Sequence, residues 1–300
     1  MKTDRNQNDD KPRRRIGLGP LHDKAVRAVR KRRWAWALSS GAPLRWHCGR
    51  PNFGDDINPS FFQRVSGSGV RLARPDEPHL LGVGSICEQA TRLSTLAGSG
   101  LIRPMAAGAS LDVAGAVAVR GELTAACLPS HLRRKDALPL GDPLCLIGLL
   151  QERSSSPRFD IGIIPHVCAL NEFRVAAPEG RRLIDVRKGP WAVVREIANC
   201  RMVMSQSLHG LIVADSLGIP NVWIAPDSRM IGGDFKFRDY YSTTERPKQP
   251  THWRPAGSSR TASTDAFVSR YRHDAAAYLA TLREAVRAFA SERSTHRMAA

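Results

Sequence analysis

The sequence predicts an α/β fold with short, buried, parallel strands. From Pro43 onward, apolar runs rich in Val, Ile and Leu are followed by glycine-containing turns and then by segments of helical periodicity. Near-continuous apolar runs are typical of strands that are buried on both faces of a parallel sheet. The predicted strands are residues 80–83, 93–96, 116–119, 161–164, 183–186, 202–204 and 222–224.

The length favours two domains, because 300 residues exceed the typical domain size of about 100–150 residues. The best linker is QERSSSP at 151–157, where three serines precede a proline. A helix capped by Thr264, with apolar positions from Phe267 to Phe289, is expected to lie across the first domain. The predicted units are a basic tail and amphipathic segment at 1–42, domains at 43–150 and 157–250, and the C-terminal helix at 262–293.

Composition and cysteine spacing exclude several classes of protein. Hydrophobic residues make up 42% of the chain and charged residues 24%, which excludes global disorder. No run of about 18 apolar residues and no apolar leader occurs, so we expect a cytoplasmic protein. The six cysteines form no CxxC pair and no Cys/His cluster, so we expect reduced core residues and no metal site.

The positive charge lies mostly near the N-terminus. The net charge is +17, and residues 1–50 contain 14 basic and 4 acidic side chains. Residues 1–15 are expected to be a disordered tail. The run KAVRAVRKRRWAWAL at 24–38 predicts a basic amphipathic helix that ends in Trp34 and Trp36. It could lie on an anionic membrane, or its tryptophans could pack on the body; nucleic acid is not expected.

The strongest candidate for chemistry is the segment SQSLHGLIVADSLGIPN at 205–221, a strand end followed by a helix. His209 falls in the first turn of that helix, where free N–H groups attract anions and where ligands of open α/β sheets bind. An imidazole there can bind a phosphate or move a proton, or it can be a packed histidine. His166 occupies the equivalent place after the strand at 161–164.

A series of motifs resembles the polysaccharide pyruvyl transferases. The matches span about residues 43–242 in the order of the family: NFGDDINP (52–59), GVGSI (82–86), AGSGLI (97–102), AVRGELTAACL (118–128), LGDP (140–143), IGIIPH (161–166), SLHGLIVADSLGIPN and GGDFKFRDYYS (232–242). The combination of NxGD, SLHGLIVAD and FKFxDYY is the specific part of this resemblance.

The resemblance implies a fold and an activity. The fold would be two Rossmann-like domains that face each other across a cleft, similar to GT-B glycosyltransferases, with the acceptor on the first domain and the donor on the second. The activity would move the enolpyruvyl unit of phosphoenolpyruvate, a co-substrate and not a cofactor, onto a sugar as a pyruvate ketal. The acceptor would be a lipid-linked oligosaccharide or glycan of exopolysaccharide synthesis, reached from the cytoplasm at the inner face of the membrane.

The chemistry of this reaction assigns candidate roles. His209 is the first choice for proton transfer to the donor and His166 the second. Asp55 could deprotonate a sugar hydroxyl or cap a helix. Asn52 could bind a sugar hydroxyl or fix its own turn. Further substrate contacts are expected from Gly54, Gly98, Ser99 and Ser207.

The donor requires cations, because phosphoenolpyruvate carries close to three negative charges. Ser207 stands where many relatives carry Arg, so another cation is needed. Arg187 and Lys236 are favoured, with Lys188 and Arg229 as further candidates.

Two other functions remain open. A nucleotide-sugar glycosyltransferase of GT-B type is the main alternative, and a non-catalytic basic binding protein is the third possibility. A nicotinamide dehydrogenase has little support, because GVGSIC lacks the third glycine of the dinucleotide motif. Arg120 and Glu122 could pair across a turn, and a structural role is favoured for them over a functional one.

Overall fold

The computed structural model describes residues 19–133, 138–176, 181–252 and 265–298 and has two parallel sheets. The strands are β1 (Ala42–Arg45), β2 (Val70–Leu72), β3 (His79–Leu81), β4 (Ser94–Ala97), β5 (Gly115–Ala118), β6 (Phe159–Ile164), β7 (Arg182–Leu183), β8 (Cys200–Ser205) and β9 (Asn221–Trp223). The helices are α1 (Gly19–Ala37), α2 (Phe53–Asp56), α3 (Asn58–Ser66), α4 (Glu122–Ala125), α5 (Leu170–Ala176), α6 (Pro190–Ala198), α7 (Leu208–Ser216), α8 (Phe235–Tyr241) and α9 (Ala275–Met298). Short 3₁₀ helices cover Cys87–Gln89, Ser130–Leu132 and Pro143–Leu149.

The first sheet has the strand order β2-β1-β3-β4-β5, and all of its neighbouring strands are parallel. In this sheet, β2 lies on one side of β1, and β3 lies on the other side of β1. The connections after β1 and β3 therefore diverge and leave a crevice at the carboxyl ends of these two strands, which is where ligands of such sheets bind.

The second sheet repeats this arrangement with the order β7-β6-β8-β9, again parallel. Its crevice lies at the carboxyl ends of β6 and β8. Ile164 and Ser205 are paired at these two ends. His166 follows β6 and the SLHG segment follows β8, so the topology places both predicted histidines at one crevice.

Six of the predicted strands are confirmed with small shifts of their ends, whereas the strand predicted at 183–186 is the two-residue β7, which shares only Leu183 with the prediction. The strands β1 and β2 were not predicted from the sequence. In β2 the central Arg71 interrupts the apolar run, but its guanidinium donates to the Glu77 carboxylate at 2.5 and 2.8 Å, and both side chains are buried. The ion pair allows a charged residue in a buried strand.

The two sheets share one apolar core, and α6 of the second lobe packs against α2 and α3 of the first. The Trp191 indole donates to Ser60 Oγ at 2.8 Å, and the Arg64 guanidinium lies 3.7 Å from the centre of the Trp191 ring. The Phe53 N–H donates to the Val186 carbonyl at 2.8 Å. An α/β fold with two parallel sheets is therefore confirmed, whereas a GT-B-like cleft stays a prediction.

The pairing considered for Arg120 and Glu122 is wrong. Arg120 pairs with Asp239 of α8 at 2.9 Å, and both side chains are fully buried. Arg120 also donates to Ser85 Oγ at 2.6 Å, whereas Glu122 pairs with Arg272 on the surface. Arg120 follows β5 and points into the protein, so its charge is compensated by a partner from the other half of the chain.

The C-terminal helix begins later than predicted. Asp274 caps it by accepting from the Ala276 N–H at 2.9 Å, so Phe267 and Tyr271 precede α9, and Thr264 lies outside the described residues. Tyr278, Leu282 and Val286 are buried against the body. The Arg283 and Arg287 guanidinium groups donate to the carbonyls of Val65 and Ser66, at 3.0 and 2.9 Å. The helix lies across the first sheet, as expected.

The basic N-terminal helix is confirmed as α1, whereas the predicted tail at 1–15 lies outside the described residues. Trp34 packs edge-on against Trp46 with ring centres 5.7 Å apart, and Trp36 is 86% exposed. One tryptophan therefore packs on the body, and the other remains available for an external surface. Within the described ranges, no helix is both long enough and apolar enough to cross a bilayer.

Candidate active site

The NFGD segment forms a tight turn after β1. Asn52 is the N-cap of α2, and its Oδ1 accepts from the Gly54 N–H at 3.3 Å. The Asn52 N–H in turn donates to the Asp56 carboxylate at 3.3 Å. Asn52 therefore fixes its own turn, which was one of its two predicted roles, and the capping role considered for Asp55 is wrong.

Asn58 joins this turn to the GVGSI loop after β3. Its Nδ2 donates to the carbonyls of Asp55 and Val83 at 2.9 and 3.0 Å, and its Oδ1 accepts from the Val83 N–H at 2.7 Å. A Cβ on Gly82 would lie 2.1 Å from Asn58 Oδ1, so only glycine allows this approach. The fully buried amide holds Asp55 at the crevice of the first sheet.

The segment after β8 is a compact turn that leaves the start of α7 without a side-chain cap. Ser205 Oγ accepts from the Ser207 N–H at 3.0 Å and donates to the Ser207 carbonyl at 2.8 Å. Ser207 is the N-cap of α7 but makes no side-chain cap hydrogen bond. The first N–H groups of α7 are therefore available to an anion.

The two motifs meet at His209. A Cβ built on Gly54 would lie only 1.8 Å from His209 Nδ1, so the imidazole rests directly on the glycine. Phe53 contacts the ring edge-to-face with centres 6.3 Å apart. His209 is 9% exposed, and neither of its ring nitrogens makes a hydrogen bond within the described residues. The structure thus brings Gly54 and His209, 155 positions apart in the sequence, into contact.

Asp142 is a site residue that the sequence analysis missed. It is fully buried, and its Oδ2 lies 3.8 Å from His209 Nε2, beyond hydrogen-bond distance. Its Oδ1 accepts from the Leu144 N–H at 3.0 Å and caps a 3₁₀ helix, whereas Oδ2 has no partner in the described structure. Burial raises the pKa of Asp142 to about 6. The motif LGDP contained the signal, but an aspartate before a proline is also typical of a helix cap.

Burial sets the protonation states of the site. It lowers the pKa of His209 to about 3, with help from the positive charges of Lys236 and Arg120, so the imidazole is neutral at pH 7. Burial and the neighbouring Asp56 raise the pKa of Asp55 to about 7. Burial and Arg120 lower the pKa of Lys236 to about 8. Such shifted groups mark a candidate active site.

Lys236 is the candidate cation that is left without an ion pair in the described residues. Its ammonium contacts the Phe237 ring at 5.5 Å, and its charge acts on the pKa values of His209, His166 and Asp55. The other three candidates bind carboxylates on the surface: Arg187 binds Asp185, Lys188 binds Glu196, and Arg229 binds Asp227 and Glu172.

His166 lies at the crevice of the second sheet. The backbone N–H of His166 donates to Gln206 Oε1 at 3.2 Å. The ring Nδ1 of His166 lies 2.9 Å from Cys168 Sγ. Burial and the charge of Lys236 lower its pKa to about 4. Cys168 is exposed, contrary to the expected core position, whereas four other cysteines are buried: Cys48, Cys87, Cys145 and Cys200.

Gly98 and Ser99 have packing roles in this structure. A Cβ on Gly98 would lie 2.4 Å from the Pro143 ring and 2.6 Å from the Tyr278 hydroxyl. Ser99 is fully buried, and its hydroxyl donates to the Leu81 carbonyl at 3.3 Å. Their expected contacts with substrate stay predictions.

We expect Gly54→Ala to destabilise the protein by about 1–3 kcal/mol, because the methyl group collides with the His209 ring. Urea unfolding measures the loss. Gly189→Ala is the matched control, because Gly189 has an ordinary φ of -55° and nothing within 4 Å of its Cβ position. Equal stabilities of the two variants would contradict the contact.

Comparison with known proteins supports the motif-based resemblance. Residues 109–228 match the family described as polysaccharide pyruvyl transferase. The chain is 30% identical over 176 residues to the uncharacterized protein L143 of Acanthamoeba polyphaga mimivirus, with 55% of this chain and 60% of that protein aligned. It is 27% identical over 230 residues to the succinoglycan biosynthesis protein ExoV of Rhizobium meliloti, with 69% and 67% aligned.

A solved structure of an uncharacterized Klebsiella pneumoniae protein aligns with 79% of this chain and 99% of its own, at 12% identity and a TM-score of 0.42. The match to the mimivirus protein spans less than two thirds of that protein's length. The resemblance indicated by the motifs is supported by the family match over residues 109–228 and by the similarity to the ExoV protein.

Proposed function

We propose that this protein transfers the enolpyruvyl unit of phosphoenolpyruvate onto a sugar of an exopolysaccharide precursor, forming a cyclic pyruvate ketal. The observation that supports the proposal is the contact of the NFGD turn with His209, because it brings a loop that follows a strand of the first sheet against a helix that follows a strand of the second. The family match and the homologue named for succinoglycan biosynthesis support the same activity.

The donor would bind at the start of α7. Its phosphate would accept from the free N–H groups of the first turn, next to the Ser207 hydroxyl. Lys236 would supply the cationic partner, because its ammonium is not neutralised by any described carboxylate in an ion pair. Binding a trianion would raise the pKa of Lys236 and keep its ammonium charged.

His209 would deliver a proton to the methylene carbon of the donor. A neutral imidazole with a pKa of about 3 is a weak acid-base group, but the trianionic donor and the Asp142 carboxylate both favour the imidazolium. Asp142 would accept a hydrogen bond from Nε2 after a shift of about 1 Å and would thereby stabilise the imidazolium. Protonation leaves a cation at C2 that a sugar hydroxyl captures.

Asp55 would act as the base on the acceptor side. With a pKa of about 7, its carboxylate can take the proton of the attacking hydroxyl near neutral pH. The C–O bond to phosphate then breaks, phosphate leaves, and a second hydroxyl closes the ketal while releasing its proton. One proton gained at carbon and two released from hydroxyls balance with the proton that phosphate takes up.

This assignment predicts a bell-shaped pH dependence of kcat/KM. Activity should rise with pH through about 7 as Asp55 loses its proton, because only the carboxylate is a base. It should fall above about 8 as the Lys236 ammonium becomes neutral and binds the donor less well. Initial rates from pH 5 to 10 test this. Asp55→Asn should remove the acid limb, and its persistence in that variant would contradict the role of Asp55.

The activity itself is tested with purified full-length protein, phosphoenolpyruvate and an oligosaccharide that ends in a hexose. We expect release of phosphate together with a ketal methyl signal in the NMR spectrum of the product. Consumption of a nucleotide sugar without phosphate release from phosphoenolpyruvate would favour a glycosyltransferase instead. His166→Gln, assayed beside wild type, tests the second histidine; a small effect would leave the proton transfer to His209.

A further inference from the structure

A separate basic cavity lies between α1 and the first sheet. It is partly open to solvent, has a volume of about 320 Å³ and lies at the carboxyl ends of β1 and β2, the edge at which open parallel sheets bind ligands. Five cations line it: Arg27, Lys31, Arg32, Arg45 and Arg74. None of its lining residues is acidic, and it contains none of the residues assigned to pyruvyl transfer.

The charge of the cavity is largely uncompensated. Arg74 lies 3.7 Å from the Glu77 carboxylate, whereas the other four cations have no ion pair with a carboxylate in the described ranges. His47 lies in the cavity wall, and its pKa is lowered first by burial and then by the positive charges of Arg27, Arg30 and Lys31. Like charges that line one partly open cavity repel each other, and an anion between them removes the repulsion.

Fixed contacts keep α1 over the cavity. Trp34 packs on Trp46 with ring centres 5.7 Å apart, Arg50 pairs with Asp23 at 2.9 Å, and Arg30 pairs with Asp56. The cavity is therefore built by the fold rather than by a freely moving basic helix. Its size is at the lower end of small-molecule sites, about 300–1,000 Å³, which excludes a nucleic acid duplex.

We propose that this cavity binds the diphosphate group of a small phosphorylated ligand. The cations form two sets on opposite walls, three on α1 and two at the strand ends, so two linked phosphates satisfy both sets better than one phosphate does. The site goes beyond the proposed transfer reaction and does not depend on it. The diphosphate could belong to a nucleoside, to a lipid or to free pyrophosphate.

Calorimetric titration with inorganic pyrophosphate in about 0.15 M salt tests the site. We expect saturable binding to the wild-type full chain and weakening of about tenfold or more in Arg27→Gln/Lys31→Gln. The matched control is Lys24→Gln/Arg33→Gln, which removes the same charge from the same helix outside the cavity lining and should stay within about twofold. Arg45→Gln weakens binding from the sheet side and covers the case in which α1 loosens.

Absence of saturable binding, or equal weakening in the cavity pair and the control pair, would overturn the proposal. Titrations with inorganic phosphate, uridine diphosphate and geranyl diphosphate identify the source of the diphosphate. The diphosphate that binds most tightly indicates the class of ligand. If phosphate binds as tightly as every diphosphate, the two-phosphate assignment is contradicted. If the protein releases phosphate from phosphoenolpyruvate but does not bind pyrophosphate, the proposal for this cavity is wrong and the proposed function is unaffected.

Discussion

His209→Gln is expected to lower pyruvyl transfer by roughly 10²–10⁴-fold, the usual contribution of a positioned acid-base group. The imidazole lies against Gly54, and both of its ring nitrogens are free of hydrogen bonds in the described structure. Glutamine retains polarity and similar bulk but cannot move a proton near neutral pH. The loss should appear in kcat, measured by phosphate release, because the donor would still be bound by α7 and Lys236.

Two comparisons make this experiment specific. His131→Gln is the matched control, because His131 is exposed in a 3₁₀ helix and has no part in the site; it should keep wild-type activity. Asp142→Asn should lower kcat less than His209→Gln does and should shift the pH profile, since the carboxylate acts through the imidazolium. Wild-type turnover in His209→Gln would remove the central residue of the proposed mechanism.

Arg120→Leu is expected to cost about 3–5 kcal/mol of unfolding free energy, the usual effect of breaking a buried ion pair. The substitution leaves Asp239 fully buried and without its cation. Among the described residues, Asp239 then keeps its bonds from the Thr124 N–H and hydroxyl, at 2.9 and 2.7 Å. Urea denaturation followed by circular dichroism measures the loss.

The double variant Arg120→Leu/Asp239→Leu should recover part of this stability, because no unpaired charge remains. Arg92→Gln is the surface control: its pair with Asp112 is exposed on both sides and should contribute less than about 1 kcal/mol. If Arg120→Leu does not fold, Asp239→Asn provides the same comparison with a smaller change of shape. Equal costs for the buried and the surface pair would contradict the role assigned to Arg120.

Elements that depend on local composition were predicted correctly from the sequence, whereas elements that depend on a distant partner were not. Strands such as β6 and β8 are apolar over most of their length, so local composition is sufficient to predict them. The strand β2 was not predicted, because a buried strand can contain the charged Arg71 only when Glu77 pairs with it. The start of α9 was placed too early, since Phe267 and Tyr271 continue the helical spacing but lie in an extended segment that pairs with Asn221 and Thr244.

In the candidate site too, residues in local motifs were predictable, whereas those that depend on tertiary contacts were not. The strand-end position of His209 was predictable from the SLHG motif and the rule for open α/β sheets. The choice among four cations was not, because it depends on which of them are already neutralised by a carboxylate. Asp142 could not be assigned either, since its second carboxylate oxygen becomes significant only next to His209.

By itself, the amino-acid order determined the α/β fold class, the principal strands, the basic helix and the resemblance to a known family, because each depends on local patterns or contiguous motifs. The tertiary structure alone decided that Gly54 supports His209, that Arg120 is neutralised by Asp239, and that Lys236 has no ion pair among the residues that the structure describes. These facts join residues as many as 155 positions apart, and they result from burial and packing, which no single segment encodes.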